Sequence, residues 1–147
     1  MRVQSARLRA LLVAPLRLAL GVGWLVAARL VGAAPGPTYG AFGIGAFVVA
    51  FVALNDPRTR FVRRDPQPLP GGGEPVLDPP WRHVLSAAFP STVGLSVLAA
   101  ITLVPKPLLA ALLGGASAGL GIAAAIAARV VDPALLVDPR TGALFRR

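Results

Sequence analysis

Polar groups that could do chemistry are few in this chain, and several of them lie within long apolar stretches. Three hydroxyl side chains, Thr92, Ser96 and Ser117, and the guanidinium of Arg29 are surrounded in sequence by alanine, valine, leucine and glycine. In a hydrophobic environment a guanidinium binds an anion or a carboxylate, and hydroxyls add neutral hydrogen bonds beside it. Arg17 and Arg29 lie 12 positions apart, about 18 Å along a helix, so we expect both guanidinium groups to reach lipid headgroups at opposite membrane surfaces. The alternative is that one of them, with Arg29 the better candidate, faces the interior of the helix bundle and binds an anion or a carboxylate of a partner. In that case the three hydroxyls line a pore.

Residue types used for catalysis and for metal binding are scarce. The chain has no Cys and a single His, His83, so thiolate chemistry and a histidine metal cluster are excluded. We expect His83 to be a solvated residue near a membrane surface. The six acids all precede proline, a pattern typical of turns and helix starts: Asp56, Asp65, Glu74, Asp78, Asp132 and Asp138. We therefore predict no enzymatic activity, no cofactor and no metal.

The elements that must position these groups are membrane helices. Residues 30–55 contain no charged side chain, and residues 84–128 contain only Lys106. A bilayer core of about 30 Å requires about 20 apolar residues in a helix. The chain is 55 % hydrophobic with a mean hydropathy of +0.69. These properties predict an all-α fold, an integral membrane bundle of four transmembrane helices arranged as two antiparallel hairpins.

Prolines and charges divide the chain into five segments. They are a basic amphipathic N-terminus at 1–14, a first transmembrane hairpin at 15–54, a Pro/Gly/Arg-rich linker at 55–83, a second hairpin at 84–128 and a basic tail at 129–147. Pro15 is expected to begin the first helix, and Pro90 is expected to kink the third. In the tail, Asp132 followed by Pro133 predicts the start of a short surface helix.

Small residues recur on the apolar helices at spacings that allow close helix packing. Six glycines form the predicted packing positions: Gly43, Gly45, Gly114, Gly115, Gly119 and Gly121. Because four short helices bury little surface within one chain, we expect these glycine faces also to bind partners.

Arginine clusters determine the predicted orientation in the membrane. Net charge is +9, and arginines concentrate in the N-terminus, linker and tail, which the positive-inside rule assigns to the cytoplasm. Six residues are predicted to anchor to anionic lipid headgroups: Arg58, Arg60, Arg63, Arg64, Trp81 and Arg82. The excess of arginine over lysine, together with the abundance of Ala, Gly, Pro and Val, suggests a GC-rich bacterial genome, and we expect the protein in the inner membrane. No nucleic-acid partner is expected, because the basic segments lack aromatic residues for base stacking.

Two features leave alternatives open. Residues 31–33 could form a signal-peptidase site after an apolar core, which would leave three spanning helices. The sequence DPRT occurs at 56–59 and again at 138–141, each time followed by Phe and a pair of Arg. This echo fits either an internal repeat of two helix pairs or two similar stop-transfer segments.

Function is predicted only as a class. We expect a small polytopic membrane protein that serves as a non-enzymatic accessory or scaffold subunit, bound to a membrane-protein partner or to copies of itself. The alternative is a homo-oligomeric channel or exporter for a small solute, with Arg29 selecting anions and Thr92, Ser96 and Ser117 lining the pore. Because no carboxylate lies within the predicted spans, proton-coupled transport is disfavoured.

Overall fold

Helices form most of the structure. It is a computed structural model, and it describes residues 2–56, 67–68, 76–138 and 143–146. The helices in these ranges are α1 (Ala6–Leu30), α2 (Pro35–Asn55), α3 (Pro80–Ala88), α4 (Ser91–Thr102) and α5 (Pro107–Val130). The predominantly helical fold is confirmed. Three helices, α1, α2 and α5, are long and apolar enough to cross a membrane, and there are up to four such spans if α3 and α4 count as one bent span.

The first helix begins earlier than the sequence predicts. Ser5 caps its N-terminus, with the Ser5 hydroxyl accepting a hydrogen bond of 3.3 Å from the backbone N–H of Leu8. Pro15 therefore lies inside α1, where the prediction made it the first residue. The segment expected to be a separate lead-in at 1–14 instead supplies a strand and the first turns of this helix.

The kink expected at Pro90 is a complete break. The axes of α3 and α4 differ by 56°, and the Phe89–Pro90 peptide bond between them is cis. α3 also begins earlier than the predicted start at Val84, because Pro80 occupies its first turn. The expected third helix is thus two shorter helices that meet at an angle.

α5 is the central helix of the structure. It packs along both α1 and α2, whereas α1 and α2 contact each other only slightly. The first two helices therefore do not close on each other as a separate hairpin. Gly21 of α1 lies next to Gly114, and Leu18 lies next to Gly121, so α1 and α5 are antiparallel.

A five-stranded sheet joins segments of the N-terminus, linker and tail at one end of the helices. Its strands are β1 (Arg2–Ser5), β2 (Gln67–Pro68), β3 (Val76–Leu77), β4 (Leu135–Val137) and β5 (Leu144–Arg146), in the order β2-β5-β4-β1-β3. Antiparallel pairs join β4 to β1 and to β5, and parallel pairs join β3 to β1 and β2 to β5. The Pro/Gly/Arg-rich linker at 55–83 thus contributes two short strands. Most of the two DPRT segments lies outside the described residues.

The short helix predicted from Asp132 is wrong, because this part of the tail forms a turn and then β4. The Asp132 carboxylate accepts a hydrogen bond of 2.9 Å from the backbone N–H of Ala134, which closes the turn. All three residues of β4 are buried. Burial on both faces between two neighbouring strands favours the extended backbone over a surface helix.

Candidate functional site

The break between α3 and α4 exposes backbone carbonyl groups that α1 satisfies with two arginines. Pro90 has no N–H, so the carbonyl of Ser86 loses the donor that a continuous helix would supply. The Arg9 Nη2 group donates to that carbonyl oxygen at 2.9 Å. The Arg17 Nη2 group donates to the next carbonyl oxygen, of Ala87, at 2.7 Å. Positive charge is also favourable at the C-terminal end of a helix, because the helix dipole is negative there.

Arg17 connects four helices at this point. Its Nε donates to the Thr92 hydroxyl at 2.9 Å, and its Nη2 donates to the Ser91 hydroxyl at 3.3 Å. The Ser117 hydroxyl of α5 donates to the backbone carbonyl of Arg17 at 3.2 Å. Two of the predicted pore residues therefore contact Arg17: Thr92 contacts its guanidinium and Ser117 contacts its backbone carbonyl.

The other two predicted pore residues lie elsewhere. Arg29 donates through Nη1 to the carbonyl of Ala33, just beyond the end of its own helix. It lies about 18 Å along the helix axis from Arg17, at the rise of a regular α-helix. The Ser96 hydroxyl oxygen is buried and has no hydrogen-bond partner among the described residues. The structure thus does not bring all four predicted residues together.

A cavity of about 380 Å³ adjoins the two arginines, between the first half of α1, the end of α2 and the second half of α5. We call it the arginine cavity. Its remaining lining is apolar and includes Val13, Leu120, Ala123, Ala124, Ala127 and Val131. Within the described ranges, the ion pairs join Arg82 to Asp78 and Arg146 to Asp132. Neither Arg9 nor Arg17 therefore contacts a carboxylate in the described part of the chain.

A second polar cluster surrounds His83, which is buried, so the expected solvated position is wrong. The His83 Nε2 accepts a hydrogen bond of 3.3 Å from the backbone N–H of Ser5, and Nδ1 lies 3.1 Å from the Pro79 carbonyl oxygen. Because Nε2 accepts a hydrogen bond, the Nδ1–H is the group that donates to the Pro79 carbonyl. The buried His83 side chain thus links β1 to α3.

Gln4 extends this cluster through Asp78 and Ser86. Its amide nitrogen donates to the Asp78 carboxylate at 3.1 Å, and its amide oxygen accepts from the Ser86 hydroxyl at 2.9 Å. Each of these buried side chains has a hydrogen-bond partner, so the cluster is a structural network. Within the described residues, no group of three His, Cys, Asp or Glu could hold a metal ion.

The predicted packing glycines lie where α5 meets its two neighbours, with one exception. Gly114 and Gly121 face α1, whereas Gly115, Gly119 and Gly45 lie in the contact between α5 and α2. A Cβ atom on Gly115 would overlap the carbonyl of Phe42, so only glycine fits there. Gly43 has open space around it. These glycine contacts are made within the chain.

The predicted headgroup anchors are described only in part. Trp81 and Arg82 lie in the first turns of α3, with the Arg82 guanidinium 5.1 Å from the centre of the Trp81 ring. This distance is typical of a cation–π contact. Arg58, Arg60, Arg63 and Arg64 lie outside the described residues.

Arg9, Gln4 and Gly21 are site or packing residues that the sequence interpretation did not assign, and it favoured Arg29 over Arg17 as the arginine inside the bundle. The available signal was Pro90, whose missing N–H leaves a carbonyl that needs a donor from another helix. No protein-family model matches this chain, and no curated protein or solved structure is significantly similar to it. The functional argument therefore depends on the geometry of the site and of the exposed helix surfaces.

Proposed function

We propose that this protein is a non-enzymatic accessory subunit of a membrane complex. The observation that supports this proposal is the exposed side of α2. Only Thr38 and Gly45 are buried in this helix, because α2 packs along α5 by one narrow edge. Most of its apolar surface is therefore not covered by other described residues and is open to lipid or to a partner helix.

The exposed side of α2 forms one continuous stripe, here called the α2 face. It consists of residues at helical spacings of three and four: Ile44, Phe47, Val48, Phe51 and Val52. Phe47 is 72 % exposed, and its ring stacks on that of Phe51 at 6.2 Å between ring centres. Stacked aromatic side chains provide a large contact area with few rotatable bonds, a property of residues that dominate binding energy at interfaces.

The partner that best fits the α2 face is an apolar membrane helix of another protein. α2 contains no charged side chain, so it offers no group for an ionic partner. The glycine contacts of α5 are already occupied by α1 and α2. We therefore assign the partner surface to the α2 face in place of the glycine faces.

Purification from native membranes in a gentle detergent tests this role. We expect a second protein at fixed ratio in the intact particle, measured by particle mass and by identification of each component. Replacing both Phe47 and Phe51 with Ala should release that protein. The matched control replaces Val97 and Ile101 with Ala, because these residues are also exposed but lie on α4. A wild-type particle of this chain alone would contradict the accessory role.

The break at Pro90 favours a second candidate, an exporter or channel for a small anion. Many transporters place substrate at discontinuous helices inside the membrane. At the break, Arg17 takes the anion-selecting role that the sequence interpretation gave to Arg29. In liposomes, Arg17→Gln should then abolish chloride or benzoate flux, whereas Arg29→Gln should retain it. Absence of flux with the wild-type protein would exclude this candidate.

A further inference from the structure

The arginine cavity has two chemically different walls. α1 supplies Arg9 and Arg17, while α5 supplies only apolar side chains, half of which are alanine: Leu120, Ala123, Ala124, Ile126, Ala127 and Val130. The short alanine side chains leave the space between α5 and its neighbours unfilled. A volume of about 380 Å³ lies within the range of roughly 300–1,000 Å³ that is common for small-molecule sites.

Both arginines keep hydrogen-bonding capacity beyond their contacts with α3 and α4. A guanidinium has five N–H donors on three nitrogens. In the described part of the chain, Arg9 donates only through Nη2, and Arg17 donates through Nε and Nη2. The Nη1 groups of both residues are therefore available to a ligand. Neither charge is balanced by a described carboxylate.

We propose that the arginine cavity binds a single-chain amphiphile with an anionic head. The carboxylate or phosphate oxygens lie at Arg9 and Arg17, and the hydrocarbon chain lies along Ala123, Ala124 and Ala127. The ligand is either a free fatty acid or a lipid of the surrounding membrane, since both present this chemistry. This site goes beyond the accessory role and does not depend on the α2 face.

Charge and polarity together select this ligand class. A cationic head would be repelled by the two guanidinium groups, which have no carboxylate partner among the described residues. A zwitterionic head brings an ammonium group close to them together with its phosphate, which weakens its binding relative to an anionic head. An inorganic anion would satisfy the arginines but leave the apolar walls uncovered. Only a ligand with both an anionic head and an apolar chain complements both walls.

Native mass spectrometry of the full chain in a nonionic detergent provides the direct test. The probes are palmitate, lysophosphatidylglycerol, lysophosphatidylcholine and inorganic phosphate. We expect one molecule of palmitate or lysophosphatidylglycerol per chain, with at least tenfold weaker binding of lysophosphatidylcholine and phosphate. Palmitate binding indicates a free fatty acid as the source, and binding of lysophosphatidylglycerol alone indicates a membrane lipid. Equal binding of lysophosphatidylcholine and lysophosphatidylglycerol would overturn the proposal.

Two pairs of variants separate ligand binding from folding. Ala124→Leu fills the arginine cavity and should weaken binding of the preferred anionic probe at least tenfold, whereas Ala19→Leu, on the exposed side of α1, should not. Arg9→Gln should weaken binding by a similar factor, and the exposed Arg7 provides its control as Arg7→Gln. Unchanged binding by a folded Ala124→Leu protein, with a wild-type thermal midpoint, would contradict the proposal even if Arg9→Gln fails to fold.

Discussion

The first and second halves of α5 contain similar small residues but pack in different ways. In the first half and just past the midpoint, the four glycines from Gly114 to Gly121 bring the backbone of α5 into direct contact with α1 and α2. In the second half, Ala123 and Ala127 line a cavity beside two arginines. The difference is the presence of Cβ atoms and the position of the charged groups. One helix therefore holds the fold together at one end and leaves room for a ligand at the other.

The largest expected effect comes from filling a glycine contact in the first half. A Cβ on Gly45 would overlap the carbonyl of Leu112, so Gly45→Leu should destabilise the protein by about 3 kcal/mol or more. Gly43→Leu is the matched control two positions away, because nothing lies near Gly43. The measurement is the midpoint of SDS-induced unfolding in mixed micelles. Equal midpoints for the two variants would show that α2 does not approach α5 this closely.

The next largest effect is expected at Arg17, which lies beside the arginine cavity. Arg17→Gln removes the guanidinium that bonds Ala87, Ser91 and Thr92, and we expect a loss of about 2–3 kcal/mol in unfolding free energy. Arg7→Gln, on the exposed side of the same helix, should change it by less than about 0.5 kcal/mol. The same micelle titration compares them. If Arg17→Gln behaves like Arg7→Gln, Arg17 does not support the α3–α4 break.

A smaller and more local effect is expected at the sheet. His83→Ala removes the acceptor for the Ser5 N–H and the donor for the Pro79 carbonyl, at a cost of about 1–3 kcal/mol. Hydrogen exchange should accelerate in β1 before it changes in α5. Unchanged exchange at the Ser5 amide would contradict the contact between β1 and α3.

The smallest effect is expected for an exposed ion pair at the sheet. Arg146 and Asp132 are 3.4 Å apart, and both side chains are substantially exposed to solvent. Arg146→Gln should change stability by less than about 1 kcal/mol, because solvent screens such pairs. A loss as large as that of Arg17→Gln would show that charge pairing in the tail matters more than charge at the break.

Hydropathy and proline positions predict the helices of this protein but not their arrangement. The apolar lengths of α2 and α5 and the proline starts at Pro35 and Pro107 are local signals, and they are readable in the sequence. The insertion of α5 between α1 and α2 is not readable, because small residues occur on every apolar helix. The strands have two to four residues each, and their partners come from distant segments, so no local pattern indicates them.

The candidate site shows the same division between local and long-range information. Thr92 and Ser117 are recognisable as polar groups in apolar helices, and both contact residue 17. The sequence interpretation considered Arg17 as well but favoured Arg29, and a helix that starts at Pro15 places Arg17 in its first turn, within reach of the headgroups. Because α1 begins at Ala6, Arg17 lies about 16 Å inside that helix, at the rise of a regular α-helix. The Ser5 cap thus places Arg17 in the interior of α1 and not in its first turn.

Cysteine cross-linking is the most direct test that α5 packs against α1 as well as α2. The chain has no native Cys, so an introduced pair has no background. In the double variant W24C/G114C, the new Cβ of residue 114 would lie 2.8 Å from the Cβ of residue 24 in the present backbone, and a shift of about 1 Å gives disulfide geometry. Oxidation in native membranes should produce an intramolecular cross-link. The reduced variant must first show a wild-type unfolding midpoint, because a Cβ at residue 114 would also lie 2.9 Å from the Gly21 carbonyl oxygen. With that midpoint, absence of the cross-link, or cross-links only between chains, would contradict the arrangement on which the arginine cavity depends.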